Sequence, residues 1–204
     1  MNEIKTKLKT MTDAIILWNE SLFFEKMFQE YGISSMVSTP TAFNSPHLPP
    51  TKLLIVPSGF TFPEHAAVRN ILEKPNIQKR IFDFVEKGGI FLMFSPVQEI
   101  CTCHLNQSEI VFSFDRFGLE AEYVQTDVLI RRKSSLTGDQ DSVYCDGRFQ
   151  NIGKNFEIIE SDENNQPIHI LMKKGKGQII LSTVHEFLSK SYFYTLLNGP
   201  EVKI

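Results

Sequence analysis

Hydrophobic positions fall into short unbroken runs over the first half of the chain. AIILW (14–18), KLLIVPSG (52–59) and IFLMFS (90–95) carry little polar alternation, as expected of strands covered on both faces. SSMVST (34–39) reads as a further strand. Between these runs the period changes. In NESLFFEKMFQEYG, Leu22, Phe23, Met27 and Tyr31 recur at helical spacing, Asn19 or Ser21 can cap, and Gly32 stops the helix. FPEHAAVRNILEK and NIQKRIFDFVEKGG also read as helices. In the second, Ile77, Ile81, Phe84 and Val85 make one face and Gly88 ends it. PTAFNSPHLPP (40–50) reads as a Pro-rich loop. Strand–helix alternation through residue 95 predicts a parallel sheet with helices on both sides.

Beyond residue 95 the pattern shifts. SEIVFSFDRFG (108–118) is ambiguous: Ser108 as cap and Gly118 as stop favour a helix, whereas Ile110, Val111 and Phe112 favour a strand. A helix is expected. Residues 119–160 read as short strands and turns, with TGDQDS and DENNQP as loops. PIHILMKKGKGQIILSTVH (167–185) reads as a β-hairpin turning at KKGKG, and EFLSKSYFYTLLNG (186–199) as a closing helix. There is no internal repeat and no linker long enough to divide the chain, so one domain over residues 1–204 is expected.

Composition narrows the function classes. A 42% hydrophobic, 22% charged chain is ordinary for a globular protein, and a net charge of -3 argues against a nucleic-acid binder. No apolar stretch approaches the ~20 residues of a membrane span. The patch Ala14–Trp18 is shorter than the ~7–15 residues of a signal-peptide core, so a cytoplasmic location is expected. Cys101, Cys103 and Cys145 are odd in number and sparse, which suits reduced thiols. CTCH (101–104) lacks a second ligand pair, so no metal is expected. No Walker or dinucleotide pattern is present, GKGQ (175–178) being a hairpin turn, and no cofactor is expected.

FVEKGGIFLMFS followed much later by GKGQIILSTVHE resembles the class I glutamine amidotransferase-like superfamily, in particular its trehalose-utilisation-like branch and the branch akin to the N-terminal domain of biotin–protein ligase relatives. The resemblance covers residues 13–190. It implies a flavodoxin-like three-layer sandwich: a mostly parallel central sheet, helices on both faces and a C-terminal β-hairpin. In that family a Cys nucleophile sits on a sharp elbow after the Gly-Gly strand, and a His follows the GKG strand with a Glu two residues on. Carried across, Ser95 falls on the nucleophile, His185 on the base and Gly59, in IVPSG, on the oxyanion glycine. Glu186 adjoins His185, and Phe187 occupies the family's Glu position.

The chemistry at this elbow is degraded. The residue after the nucleophile normally lends its backbone N–H to the oxyanion, and here it is Pro96, which has none. Losing one such donor costs ~10²–10³ in rate. Met93 and Val97 stand where an elbow needs small residues, and a serine is a weaker nucleophile than a cysteine. On a strand Glu186 would point away from His185. The first reading is therefore a non-catalytic amidotransferase-like domain. It would bind a small polar metabolite or a protein partner at the carboxyl edge of the sheet, around Ser58, Gly59, Ser95, Pro96, Glu99, Cys101 and His185. A second reading is a hydrolase or amidase using Ser95 or a loop cysteine with His185. A third is a structural homo-oligomer whose Phe-rich helices form a dimer contact, two-fold dimers being the commonest assemblies. YCDGRF (144–149) adds Asp146 and Arg148 around an expected Gly turn as groups for a polar ligand.

Overall fold

The computed structural model describes residues 12–20, 23–98, 110–131, 133–185 and 188–204. The first half alternates as the pattern predicts: β1 (Ala14–Leu17), α1 (Phe23–Tyr31), β2 (Ser35–Ser38), α2 (Pro40–Phe43), β3 (Leu53–Val56), α3 (Ala66–Leu72), α4 (Pro75–Glu86) and β4 (Ile90–Met93). Every residue of β1, β3 and β4 is buried, which explains their unbroken apolar runs. Helix α4 starts on Pro75, whose missing N–H costs nothing at a helix's first position, and buries Ile77, Ile81, Phe84 and Val85.

The second half holds β5 (Val111–Ser113), β6 (Glu122–Ile130), β7 (Val143–Gln150), β8 (Phe156–Ser161), β9 (Pro167–Lys174), β10 (Gly177–Ser182) and α5 (Lys190–Leu196). The main sheet has seven strands in the order β2-β1-β3-β4-β10-β9-β8. Its first five are parallel, β10 lying beside β4 with Ile180 opposite Leu92, and the β9–β10 hairpin and β8 extend it antiparallel. This is the mostly parallel, flavodoxin-like sheet with a C-terminal hairpin that the resemblance implies. In β8 the register breaks twice, at Ile158/Glu160 and at Glu160/Ser161.

Several expectations are corrected. Residues 108–118 do not form an α-helix: the described part is β5 and a 3-10 turn, Phe114–Phe117, whose Gly118 cap is left-handed. Phe114 and Phe117 are buried beside Phe112 and Phe149, and this aromatic packing is what holds the strand pattern against the helix caps. The expected loop at 40–50 begins with α2, capped by Thr39. The closing helix begins only at Lys190, capped by Ser189. YCDGRF is strand, not turn. Gly147 sits within β7 because a Cβ there would lie 2.3 Å from the Val124 carbonyl oxygen and 2.5 Å from the Tyr123 ring.

Strands β5, β6 and β7 form a separate antiparallel sheet. It covers the carboxyl ends of β4 and β10. Beyond β10 the chain keeps pairing with β7: the Asp146 N–H donates to the Thr183 carbonyl at 2.8 Å and the His185 N–H to the Tyr144 carbonyl at 2.9 Å. Beyond β4, the Gln98 N–H donates to Gln125 Oε1 at 2.8 Å and Gln125 Nε2 returns a bond to the Gln98 carbonyl at 3.0 Å. Buried residues from both sheets form one hydrophobic cluster. The Phe-rich helices feed it: Phe24, Phe28 and Phe193 are buried, while Phe23 is exposed. Among the described residues no helix is long and apolar enough to cross a membrane.

Candidate functional site

Ser58, Gly59, Ser95 and Pro96 come together where β3 and β4 end, as the sequence places them. Their geometry is that of a closed corner. The Gly59 N–H, expected to face an oxyanion, donates to the Ser95 carbonyl at 3.0 Å. Gly59 itself is left-handed, with φ +75. Two residues on, the Thr61 hydroxyl donates to the Val97 carbonyl at 2.7 Å, so the loops after β3 and β4 are joined twice. Ser95 is wholly buried, and its hydroxyl reaches the Ser182 carbonyl at 3.4 Å, a long bond.

His185 lies on the segment after β10, half exposed, with Nδ1 2.8 Å from Asp146 Oδ1. Its ring meets Tyr144 edge-on at 5.7 Å, and the Tyr144 hydroxyl donates to Asp127 at 2.7 Å. Asp146 is 9% exposed. Burial raises its pKa above the usual carboxylate value, opposed first by His185 and then by the nearby Ser95 hydroxyl. That hydroxyl still leaves Asp146 Oδ2 without a hydrogen bond. Tyr123, whose hydroxyl donates to the Asp146 backbone carbonyl at 2.7 Å, is pushed well up by burial and then by the Asp146 charge.

The arrangement differs from a nucleophile–imidazole–acid relay. One carboxylate bears on both the serine and the imidazole. The His185 ring is held by Asp146, presented by β7; Glu186, Glu99, Cys101 and Cys103 lie outside the described residues. Sequence reasoning found Asp146 as a polar group but not as the partner of His185. The two are 39 residues apart and meet where the segment after β10 bridges to β7, Val184 opposite Cys145. Cys145 is buried and its thiol is pushed up to about 12, chiefly by burial, which disfavours the thiolate a nucleophile needs. No cluster of three or more metal-ligating side chains occurs among the described residues.

No family model matches the chain, and no curated protein matches it. Solved structures do. An exo-β-1,4-mannosidase from Opitutaceae bacterium strain TAV5 superposes with a TM-score of 0.54 at 13% identity, over 92% of this chain and 33% of that one. A GH42 β-galactosidase from G. stearothermophilus gives 0.52 at 15%, over 90% of this chain and 28% of that one. A putative GMP synthase component from Thermoplasma acidophilum gives 0.50 at 12%, over 92% of both chains. The chain thus spans about a third or less of the glycosidases and matches the synthase component nearly end to end. At these identities the likeness is one of fold alone.

Proposed function

We propose that this chain is a non-catalytic amidotransferase-like domain that binds a small polar ligand at the carboxyl edge of its main sheet, on Asp146 and His185. The observation that carries the first half is the bond from the Gly59 N–H to the Ser95 carbonyl. It takes up the one oxyanion donor that Pro96 leaves, and a serine with no exposed surface cannot meet an acyl carbon. The second half rests on Asp146 Oδ2, a buried carboxylate oxygen with no donor. Such an atom costs about 1–3 kcal/mol unless something donates to it. An amide, amine or hydroxyl group of a ligand supplies what the chain does not.

The test has two arms. Ammonia release from glutamine should be absent from the wild type and unchanged by Ser95→Ala. Thermal shift against a panel of amides, amines and polyols should yield a stabilising compound whose effect is lost in Asp146→Asn. Glutamine hydrolysis that vanishes in Ser95→Ala overturns the first half, and a panel with no stabilising compound overturns the second. The His185–Asp146 bond also favours a second reading, a hydrolase whose nucleophile comes from elsewhere, since an oriented imidazole is what a base requires. A single rapidly alkylated thiol with labelling that titrates near neutral pH would support it.

A further inference from the structure

A different corner of the same edge carries an unexplained group. Trp18 directly follows β1. It is 3% exposed, and its indole Nε1 is buried with no hydrogen-bond partner. An indole N–H can only donate, and buried tryptophans normally find an acceptor. The ring is covered instead by His65, stacked at 4.2 Å between centroids and tilted by 38°. His65 ends a 3-10 turn, Pro63–His65, in the loop between β3 and α3. Asn19 tethers this cover: its Nδ2 donates to the Glu64 carbonyl at 3.0 Å and lies 3.5 Å from His65 Nδ1.

The position has a topological meaning. From β1 the chain passes to β2 on one side, then returns to β3 on the other. The β1/β3 boundary is therefore the switch point of the sheet, where connections leave in opposite directions and open α/β sheets hold ligands beyond their carboxyl ends. Trp18 and the loop bearing His65 stand at that boundary. The unpaired donor and the switch point are independent observations, and they coincide.

We infer that the carboxyl ends of β1 and β3 form a second ligand crevice, separate from Asp146 and His185, in which the Trp18 indole N–H donates to the carbonyl oxygen of a small uncharged amide-like molecule admitted when the His65 loop lifts. Charge decides the ligand class. The donor is neutral and buried, so an anion there would lose its hydration without gaining a counter-charge. Glu20, two residues after Trp18, and Glu64, next to His65, are exposed and repel an anion on approach. A neutral carbonyl needs one donor and an apolar surround, which is what Trp18 offers.

Trp18 is the single tryptophan of the sequence, so the 15N-labelled full-length chain gives one indole N–H resonance. N-methylacetamide is the probe, with acetate and inorganic phosphate as charged comparators. The indole proton should move downfield saturably with N-methylacetamide and with neither anion. His65→Ala, which removes the cover, should tighten the response several-fold, and Trp18→Phe should weaken binding followed by thermal shift about tenfold, the worth of one hydrogen bond. Asp146→Asn should leave the indole response intact. An indole resonance unmoved in both the wild type and His65→Ala overturns the inference, and so does a response abolished by Asp146→Asn. The His65→Ala arm stands even where Trp18→Phe fails to fold.

Discussion

The corner at Ser95 and the corner at Trp18 end strands of one sheet, with β3 between them, yet they are finished in opposite ways. At Ser95 the chain answers its own backbone groups, and the unpaired atom, Asp146 Oδ2, is a side-chain acceptor on the neighbouring β7. The Ser95 carbonyl takes the Gly59 N–H, the Val97 carbonyl takes the Thr61 hydroxyl, and Gln98 is held at both ends by Gln125. At Trp18 the backbone is held by the Ser38 carbonyl at 3.1 Å, but the side-chain donor is left over. An oxyanion site keeps unpaired donors for its substrate, and the Gly59 N–H at the first corner is already taken by the Ser95 carbonyl. A corner that retains a buried unanswered group still holds something to offer.

The largest effect should come from attacking what holds the first corner shut. Gly147→Val would drive a side chain into the Val124 carbonyl and the Tyr123 ring, parting β6 from β7. A loss of about 3 kcal/mol or more is expected in chemical denaturation, with the Tyr123–Asp146 bond lost as well.

Acid should act next, at a site in neither corner. His169 is wholly buried on β9, with Nε2 2.6 Å from the Tyr192 hydroxyl, and burial pushes its pKa down to about 3 from 6.5. The unfolded chain takes up this proton near pH 6.5 and the folded chain does not. Stability should therefore fall as pH drops from 6.5 towards 3, by up to about 1.4 kcal/mol per pH unit. His169→Phe should flatten that limb. Asp146 has the opposite sense: its pKa is raised on folding from 3.8, so its contribution is present below that value and is lost as pH rises through the folded pKa. Asp146→Asn should remove this second dependence, read from melting temperature against pH.

Smaller effects sharpen the contrast. Gly59→Ala forces a Cβ onto a left-handed residue and within 2.7 Å of the Phe62 ring, for an expected loss of about 1–3 kcal/mol. Ser95→Ala removes the long bond to the Ser182 carbonyl and the hydroxyl's interaction with Asp146 and Tyr123, and should cost about 1 kcal/mol by denaturation. A Ser95→Ala loss larger than the Gly59→Ala loss would mean that the hydroxyl, not the backbone bond, holds the corner.

Much of this architecture was legible in the residues. The apolar runs of β1, β3 and β4 announce strands covered on two faces, and the KKGKG turn announces the β9–β10 hairpin. Pro96 announces the missing donor without any structure. What could not be read were meetings between distant segments. Residues 111–117 stand between two helix-cap signals, Ser108 and Gly118, but their phenylalanines pack against Phe60 and Phe149, and that tertiary contact outweighs the local signal. The pairing of Asp146 with His185 depends on the bridge between β7 and residues 183–185, which no local pattern encodes. Trp18 looked like one more core residue, because an unpaired donor is visible only once every neighbour is in place.

The paired register breaks in β8 carry a consequence for the protein in a crowded solution. This strand ends the main sheet and displays Ile158 and Ile159, which would otherwise invite a neighbouring molecule to add its own strand. Because its rungs fall out of step within a few residues, an incoming backbone would meet donors and acceptors at the wrong spacing. The greasy border can then stay bare without seeding fibrils.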